Sequence, residues 1–476
     1  MAEVDPKTGW YIQNIGYSIL AFWHRIYCPL PEKITARRKM LVIDFLLRLF
    51  IWWPMALLAF FGSRIQLLWI RLFFNFLAKL GGKKIGENKY MKVTLADFDG
   101  VPVRVYEPKK RKGDAAIFFI HGGGFVFCSA RSYDLVTRYI SRRSGLVLVS
   151  VDYRLAPEHK YPAAVEDCER AATYFLKEGY KDYSVDPHKI AFMGDSAGGN
   201  LTAVTIHRLR PLKVPQPKLQ ILIYPWLQIV DFNLPSHQMM KQYTNTTMLN
   251  PKALARFALH YLVGDDINHF IPDLMDNNHT TAELRSSPSF NHVRHEHLPK
   301  SYSFNGRSFY NPERAKPIAS NPHLYSLLQP YLLDPNVCPL LNPCLEGSPK
   351  TMVATVENDS LRDDGILYAE RLRKAGVSVE HRHYHEGFHG MMHDRARHGI
   401  GKTSHQRYDR VYTGECVRLE RVRLASIGDL ATIWAKFINS SAEEANAQAQ
   451  MSRRAACSFV SSTLCLCDYG VPRKNH

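Results

Sequence analysis

In the stretch "KIAFMGDSAGGNLTAV", Ser196 stands between Gly194 and Gly198. A serine hydroxyl is a weak nucleophile until a neighbouring base takes its proton, so its chemistry depends on where it is held. Small neighbours at a strand-to-helix corner let the backbone take a strained conformation that presents the hydroxyl for acyl transfer. Residues 190–193 form an apolar run suited to a buried parallel strand, and Leu201, Val204 and Thr205 recur at helical spacing. Ser196 therefore sits on the corner.

Attack on an ester carbonyl leaves a charge on oxygen, and each N–H that meets it is worth about 100- to 1000-fold in rate. The run "AAIFFIHGGGFVF" supplies a strand over 115–120 that opens into His121, Gly122, Gly123 and Gly124, a loop whose N–H groups can face an anion. The N–H of Ala197, directly after the serine, would join them. "TMVATVENDSLRDDG" gives a strand over 352–356 that ends in Glu357, Asp359, Asp363 and Asp364. Loops gather at the C-terminal edge of such strands, so an orienting carboxylate is expected there. Asp359 is the choice, and Asp363 and Asp364 read as first-turn charges of the next helix. "HRHYHEGFHGMMHD" offers His381, His383, His385, His389 and His393. His389 lies in the loop beyond a strand expected over 377–384 and suits a general base, whereas His381 and His383 alternate on that strand and are expected to face the surface. No metal site is expected: no His pair brackets a glutamate at helical spacing, and the cysteines lie elsewhere.

The chain order Ser196, Asp359, His389 is the order of α/β-hydrolases. "HGGG", "DYRLAPEHKYPAAVED", "GDSAGGN", "NDSLRDDG" and "FHG" occur in sequence, and together the chain resembles the hormone-sensitive lipase family. "PLPEKI" and "GILYAERLRKAGVSVEHRHYHEGFHG" are most similar to its arylacetamide deacetylase and neutral cholesterol ester hydrolase members. The resemblance covers residues 27–390. It implies an α/β-hydrolase fold: a mostly parallel central sheet, helices on both faces and a helical cap. It also implies Ser196 as nucleophile, His389 as base, Asp359 as its orienter, and Gly122, Gly123 and Ala197 as oxyanion donors. Phe125 keeps the aromatic residue that follows the glycines in that family and, with Val126, is expected to contact substrate. No metal or organic cofactor is implied. The expected activity is hydrolysis of lipophilic acyl esters or arylacetamides through an acyl-enzyme, on the lumenal side of the endoplasmic reticulum membrane.

These residues need a scaffold, and 476 residues suffice for one long catalytic domain with additions. We expect an N-terminal anchor and amphipathic helices over 1–85, a catalytic domain over 86–440 with a cap around 227–325, and a poorly ordered tail over 441–476. Residues 91–108 read as a hairpin turning at Asp99-Gly100. The sequence between about 393 and 424 is a basic insertion that the resemblance does not explain.

A hydrophobic share of 46% supports a core, and the net charge of +17 suggests an anionic neighbour. Nucleic acid is not favoured, since no motif for it appears. Uncharged stretches at 9–23 and 49–63 each fall short of the roughly 20 residues that span a bilayer comfortably. Residues 64–84 set Arg64, Arg71 and Lys79 among Leu, Trp and Phe, as in a helix lying in a membrane interface; buried cap helices are the competing reading of 49–80. Nine cysteines are scattered, and a Cys338–Cys344 bridge is conceivable. Asn245, Asn278 and Asn439 begin glycosylation sequons, while Asn200 and Asn358 match the pattern but sit at the site. One alternative is a catalytically silent hydrolase-fold protein that binds a small hormone or a protein partner; the retention of all three catalytic residues speaks against it.

Overall fold

The computed structural model describes residues 30–393, except 32–33, 35–36, 82–84, 244–247, 266 and 300–320. Expectations for the stretch at 9–23, the insertion after 393, the tail, Asn245 and Asn439 fall outside the described residues. Helices α1 (Arg37–Leu47), α2 (Trp53–Leu58) and α3 (Ser63–Gly81) precede the sheet. No helix among the described residues is long and apolar enough to cross a membrane.

The sheet has nine strands: β1 (Gly86–Glu87), β2 (Met91–Phe98), β3 (Val101–Pro108), β4 (Ala116–Ile120), β5 (Val147–Val151), β6 (Ile190–Asp195), β7 (Leu219–Ile223), β8 (Lys350–Asn358) and β9 (Val379–Phe388). Their order is β1-β2-β3-β5-β4-β6-β7-β8-β9. The β2/β3 hairpin turns at Asp99-Gly100 as the sequence predicts, and every pair from β5/β4 to β8/β9 is parallel. Strands β4, β5, β6 and β7 are buried at every residue. That is why they read as unbroken apolar runs: helices cover both faces of a parallel sheet.

Helices α4 (Asp134–Ser144), α5 (Ala163–Tyr174) and α6 (Ala197–Leu209) provide crossovers, and α12 (Arg362–Lys374) joins β8 to β9. Between β7 and β8 run α7 (Pro235–Lys241), α8 (Pro251–Leu262), α9 (Ile271–Met275), α10 (Ala282–Ser286) and α11 (Pro322–Leu332), where a cap is expected. Two acids of the first turn of α12 tie this region to the sheet. Asp363 accepts the N–H of Ser236 at 2.7 Å, and Asp364 accepts those of Leu227 and the Gln228 side chain, both at 3.0 Å. They are first-turn acids as expected, but fully buried, so the expectation that both act as charges does not hold for Asp364. Burial pushes the Asp364 carboxyl up to about 8.

Candidate active site

Ser196, Asp359 and His389 each follow the C-terminal end of a parallel strand: β6, β8 and β9. This edge of a parallel sheet is where loops can converge on a ligand. Ser196 has φ +55°, a left-handed value that an L residue adopts only under constraint. The constraint is visible: its N–H donates to Ile223 O at 2.9 Å and its carbonyl accepts from Trp226 at 3.1 Å. The turn closes so tightly that a β-carbon on Gly198 would lie 2.2 Å from Ile120 O, and one on Gly194 2.2 Å from Gly198 O. Only glycine fits either side of the serine.

His389 Nε2 lies 3.0 Å from Ser196 Oγ, and its Nδ1 lies 2.8 Å from Asp359 Oδ2. Asp359 is fully buried, and its other oxygen accepts the N–H of Leu361 at 3.0 Å. The β8/β9 ladder slips in register between Val356 and Asn358, and Asn358 Nδ2 donates to Gly387 O at 3.0 Å. A bulge of this kind bends the chain and redirects the residues just beyond the strand, here His389. The tautomer that serves this array carries its proton on Nδ1, donates it to Asp359, and leaves Nε2 to accept from the serine.

The expected oxyanion donors need one correction. Gly122 gives its N–H to Asp195 Oδ1 at 3.0 Å and lies 3.2 Å from the Tyr133 hydroxyl, so it is not available to a substrate. Among the described residues, no protein acceptor takes the N–H of Gly123, Gly124 or Ala197. Gly123 has φ +117°, and a β-carbon there would meet Phe127 O at 2.2 Å. The loop thus turns its second and third glycines, not its first, toward the serine corner. Phe125 and Val126 are corrected likewise. Phe125 stacks on Tyr261 at 4.0 Å and is buried, and Val126 is buried with its carbonyl accepting from Arg71 Nε at 2.7 Å. Phe127, one residue on, lines the cavity instead.

Asp195 clamps the glycine loop: beside its bond to Gly122, it accepts the Tyr133 hydroxyl at 2.8 Å. Burial pushes its carboxyl up to about 6, opposed by the Tyr133 hydrogen bond and the His389 imidazole. A carboxyl raised in the folded state favours folding fully below its unfolded value, and that contribution is lost as pH rises through about 6. The clamp needs the carboxylate, so between pH 4 and 6 stability and loop order pull in opposite directions. Asp195→Ala is expected to lower kcat about 10- to 100-fold by misplacing the donors. Asp195→Asn keeps one acceptor oxygen but no charge, so it should lose part of that rate at every pH and lack the limb near pH 6 that protonation of Asp195 adds. A kcat profile against pH checks both.

Two histidines also depart from expectation. His381 and His383 do not simply face solvent: their ring nitrogens lie 2.8 and 2.9 Å from Thr355 Oγ1, and His383 Nε2 lies 2.9 Å from Glu357. Glu357 also takes Arg362 at 3.1 Å, and its carboxyl is held down to about 2, against burial, by His383 and Arg362. Glu357, His383 and His385 bring ligand-type atoms within 4.8 Å of one another. The Arg362 guanidinium already neutralises that carboxylate and would oppose a second cation. Cys338 and Cys344 are unbridged, and buried Asn278 donates to Asp273 at 2.7 Å, which closes that sequon.

A cavity of about 440 Å³ opens onto Ser196 and His389. Its wall combines Gly123, Gly124 and Phe127 with Met40, Ile51 and Met55 before α3, Ile70, Phe74 and Leu77 on α3, and Met248 to Phe257 on and before α8. It is largely apolar, as a site for an acyl chain must be.

The family described as alpha/beta hydrolase fold matches residues 117–290 and 300–393. The chain belongs to this family, within its hormone-sensitive lipase-like group, and is a carboxylic ester hydrolase by class. It is 35% identical to neutral cholesterol ester hydrolase 1 of Mus musculus over 387 residues, 77% of this chain and 89% of that protein. It is 33% identical to arylacetamide deacetylase of Oryctolagus cuniculus over 382 residues, 77% of this chain and 90% of that one. Among solved structures it is similar to an esterase of Pyrobaculum calidifontis, with TM-score 0.52 and 26% identity over 79% of this chain and 93% of that chain.

Proposed function

We propose that this chain is a membrane-associated serine hydrolase that cleaves lipophilic acyl esters or arylacetamides. The observation that carries the reading is the continuous bond path Ser196, His389, Asp359 beside three N–H groups with no protein acceptor. His389 takes the proton of Ser196 as the hydroxyl attacks the acyl carbon. Gly123, Gly124 and Ala197 meet the oxygen as it gains charge, and His389 returns the proton to the departing alkoxide or amine. Water, activated by the same histidine, then releases the acid from the acyl-enzyme. Labelling with a fluorophosphonate probe tests this, since the probe reports an activated serine without presuming a substrate. Labelling of the native chain that is lost in Ser196→Ala supports the reading; an unlabelled native chain brings forward the silent, ligand-binding alternative.

The membrane part of the reading rests on a second observation. Leu57, Phe60, Phe61, Leu68, Leu72 and Phe76 are 76, 91, 69, 51, 56 and 57% exposed, on α2, α3 and the turn between them, and other residues of those two helices wall the cavity. Contiguous apolar surface of this size on a soluble protein marks an interaction site. Arg64 on α3 is 68% exposed, 3.7 Å from the half-exposed Asp265, and places a basic group beside this apolar face as an anionic leaflet would favour. Replacing Leu57, Phe60 and Phe61 together with Asp should lower the partition onto anionic vesicles at least about 100-fold, since each such side chain buried contributes roughly 1.5–3 kcal/mol. Turnover of vesicle-borne ester should fall with it while turnover of a soluble short-chain ester persists. Equal loss on both substrates would show instead that these residues only support the fold.

A further inference from the structure

Helix α8 carries two cations into the wall of the catalytic cavity. Lys252 and Arg256 are one turn apart and both line it. Their neighbour Phe257 packs on the glycine loop: a β-carbon on Gly124 would lie 2.7 Å from its ring, and its ring centre is 5.5 Å from that of Phe127. On that helix Arg256 is half-buried and Lys252 exposed where they line this cavity. Arg256 Nε is buried and has no hydrogen-bond partner. Its proton affinity is lowered by burial, and no carboxylate acts on it; that of Lys252 is lowered by burial and then by Arg256.

Like charges one turn apart repel, and for the half-buried Arg256, though not for the exposed Lys252, leaving water without a counter-charge is costly. The acids on the same wall do not relieve it. Asp134 is bonded to Arg138 and Tyr106, and Asp195 to Gly122 and Tyr133. The net result is an apolar chamber with a positive corner and, among the described residues, no unpaired carboxylate on its wall to fill it. A neutral ester would leave that corner unpaired in the loaded site, whereas an ester that also carries a phosphate or carboxylate would pair it.

We propose that Lys252 and Arg256 form an anion subsite, and that the substrate is a lipophilic ester bearing a phosphate or carboxylate group on the part that reaches α8. This rests on the serine hydrolase reading above and narrows it. The guanidinium can hold either oxyanion through two parallel N–H bonds, and the ammonium adds a point charge.

The test uses the full chain in detergent with matched esters: 1-acylglycerol against 1-acylglycerol 3-phosphate, and p-nitrophenyl octanoate against its ω-carboxylated counterpart. The wild type should favour at least one anionic member of these pairs in kcat/KM. Arg256→Gln should reduce that preference about 10- to 100-fold, the range for a lost charge-assisted bond, with the neutral esters little changed. Lys252→Gln should act in the same direction. Fluorophosphonate labelling of each variant checks that the site is folded. Protection from that label separates the sources of the anion: dodecyl phosphate should protect at lower concentration than dodecanol, and inorganic phosphate alone should protect weakly. Equal rates on both members of each pair, or a preference unchanged in folded Arg256→Gln, overturns the subsite and leaves the hydrolase reading standing. A wild type that cleaves neither member and takes no label overturns both.

Discussion

Ser196→Ala is expected to remove turnover by about four to six orders of magnitude, measured on any ester the native chain cleaves. The size reflects what the residue does. Without an oxygen at this corner no acyl-enzyme forms, and the remaining donors can only assist direct attack by water. The fold should survive, because the strain at φ +55° belongs to the backbone and is held by bonds to Ile223 and Trp226 that alanine keeps. An unchanged melting temperature beside the lost rate is the expected pair of results. Retained turnover would mean that another residue is the nucleophile.

Asp359→Asn should cost about 10⁴-fold in kcat with little change in KM, by the tautomer argument. An asparagine amide facing Nδ1 can donate, which favours the histidine tautomer whose Nε2 bears the proton and cannot accept one from Ser196. The same change at the other acids of this region has no such consequence, and the contrast makes the test specific. Glu357 is bound to Arg362 and His383, Asp363 to Ser236 and Arg362, and Asp364 to Leu227 and Gln228. Single-turnover labelling of Ser196 in each variant should rank Asp359→Asn far below Glu357→Gln. Equal effects would show that the acid has been misassigned.

The convergence of Ser196, Asp359 and His389 was legible in the sequence because parallel strands leave a plain record. Each is an unbroken apolar run, and the chemistry sits in the first residues after it, so Ser196, Asp359 and His389 could be picked by position. What failed to show were directions. Which glycine N–H faces the serine depends on φ values of +117° at Gly123 and +59° at Gly124, and three identical letters carry no such information. Phe125 and Val126 come after the same glycines, yet the turn sends both inward and gives the cavity to Phe127. His381 and His383 alternate as exposed residues would, but Thr355 and Glu357 on the neighbouring strand take up their nitrogens. Lys252 and Arg256 left no signal at all: a Lys and an Arg four apart on an amphipathic helix read as its wet face, which holds for the exposed Lys252, and only the partial burial of Arg256 in the cavity wall shows otherwise.

Helix α3 answers to two surroundings at once. Ile70, Phe74 and Leu77 line the chamber, and Arg71 from the same helix grips Val126 and Ala156, while Ile65, Leu68, Leu72 and Phe76 look outward. Its inward letters are constrained in shape, since a changed methyl group alters what fits against the serine; its outward letters are constrained only in kind, since any oily side chain serves a fluid. Substitutions that accumulate over descent should therefore drift freely along one stripe of this helix and stall along the other. On the membrane reading proposed above, an enzyme of this design could change the membrane it serves without changing what it cuts.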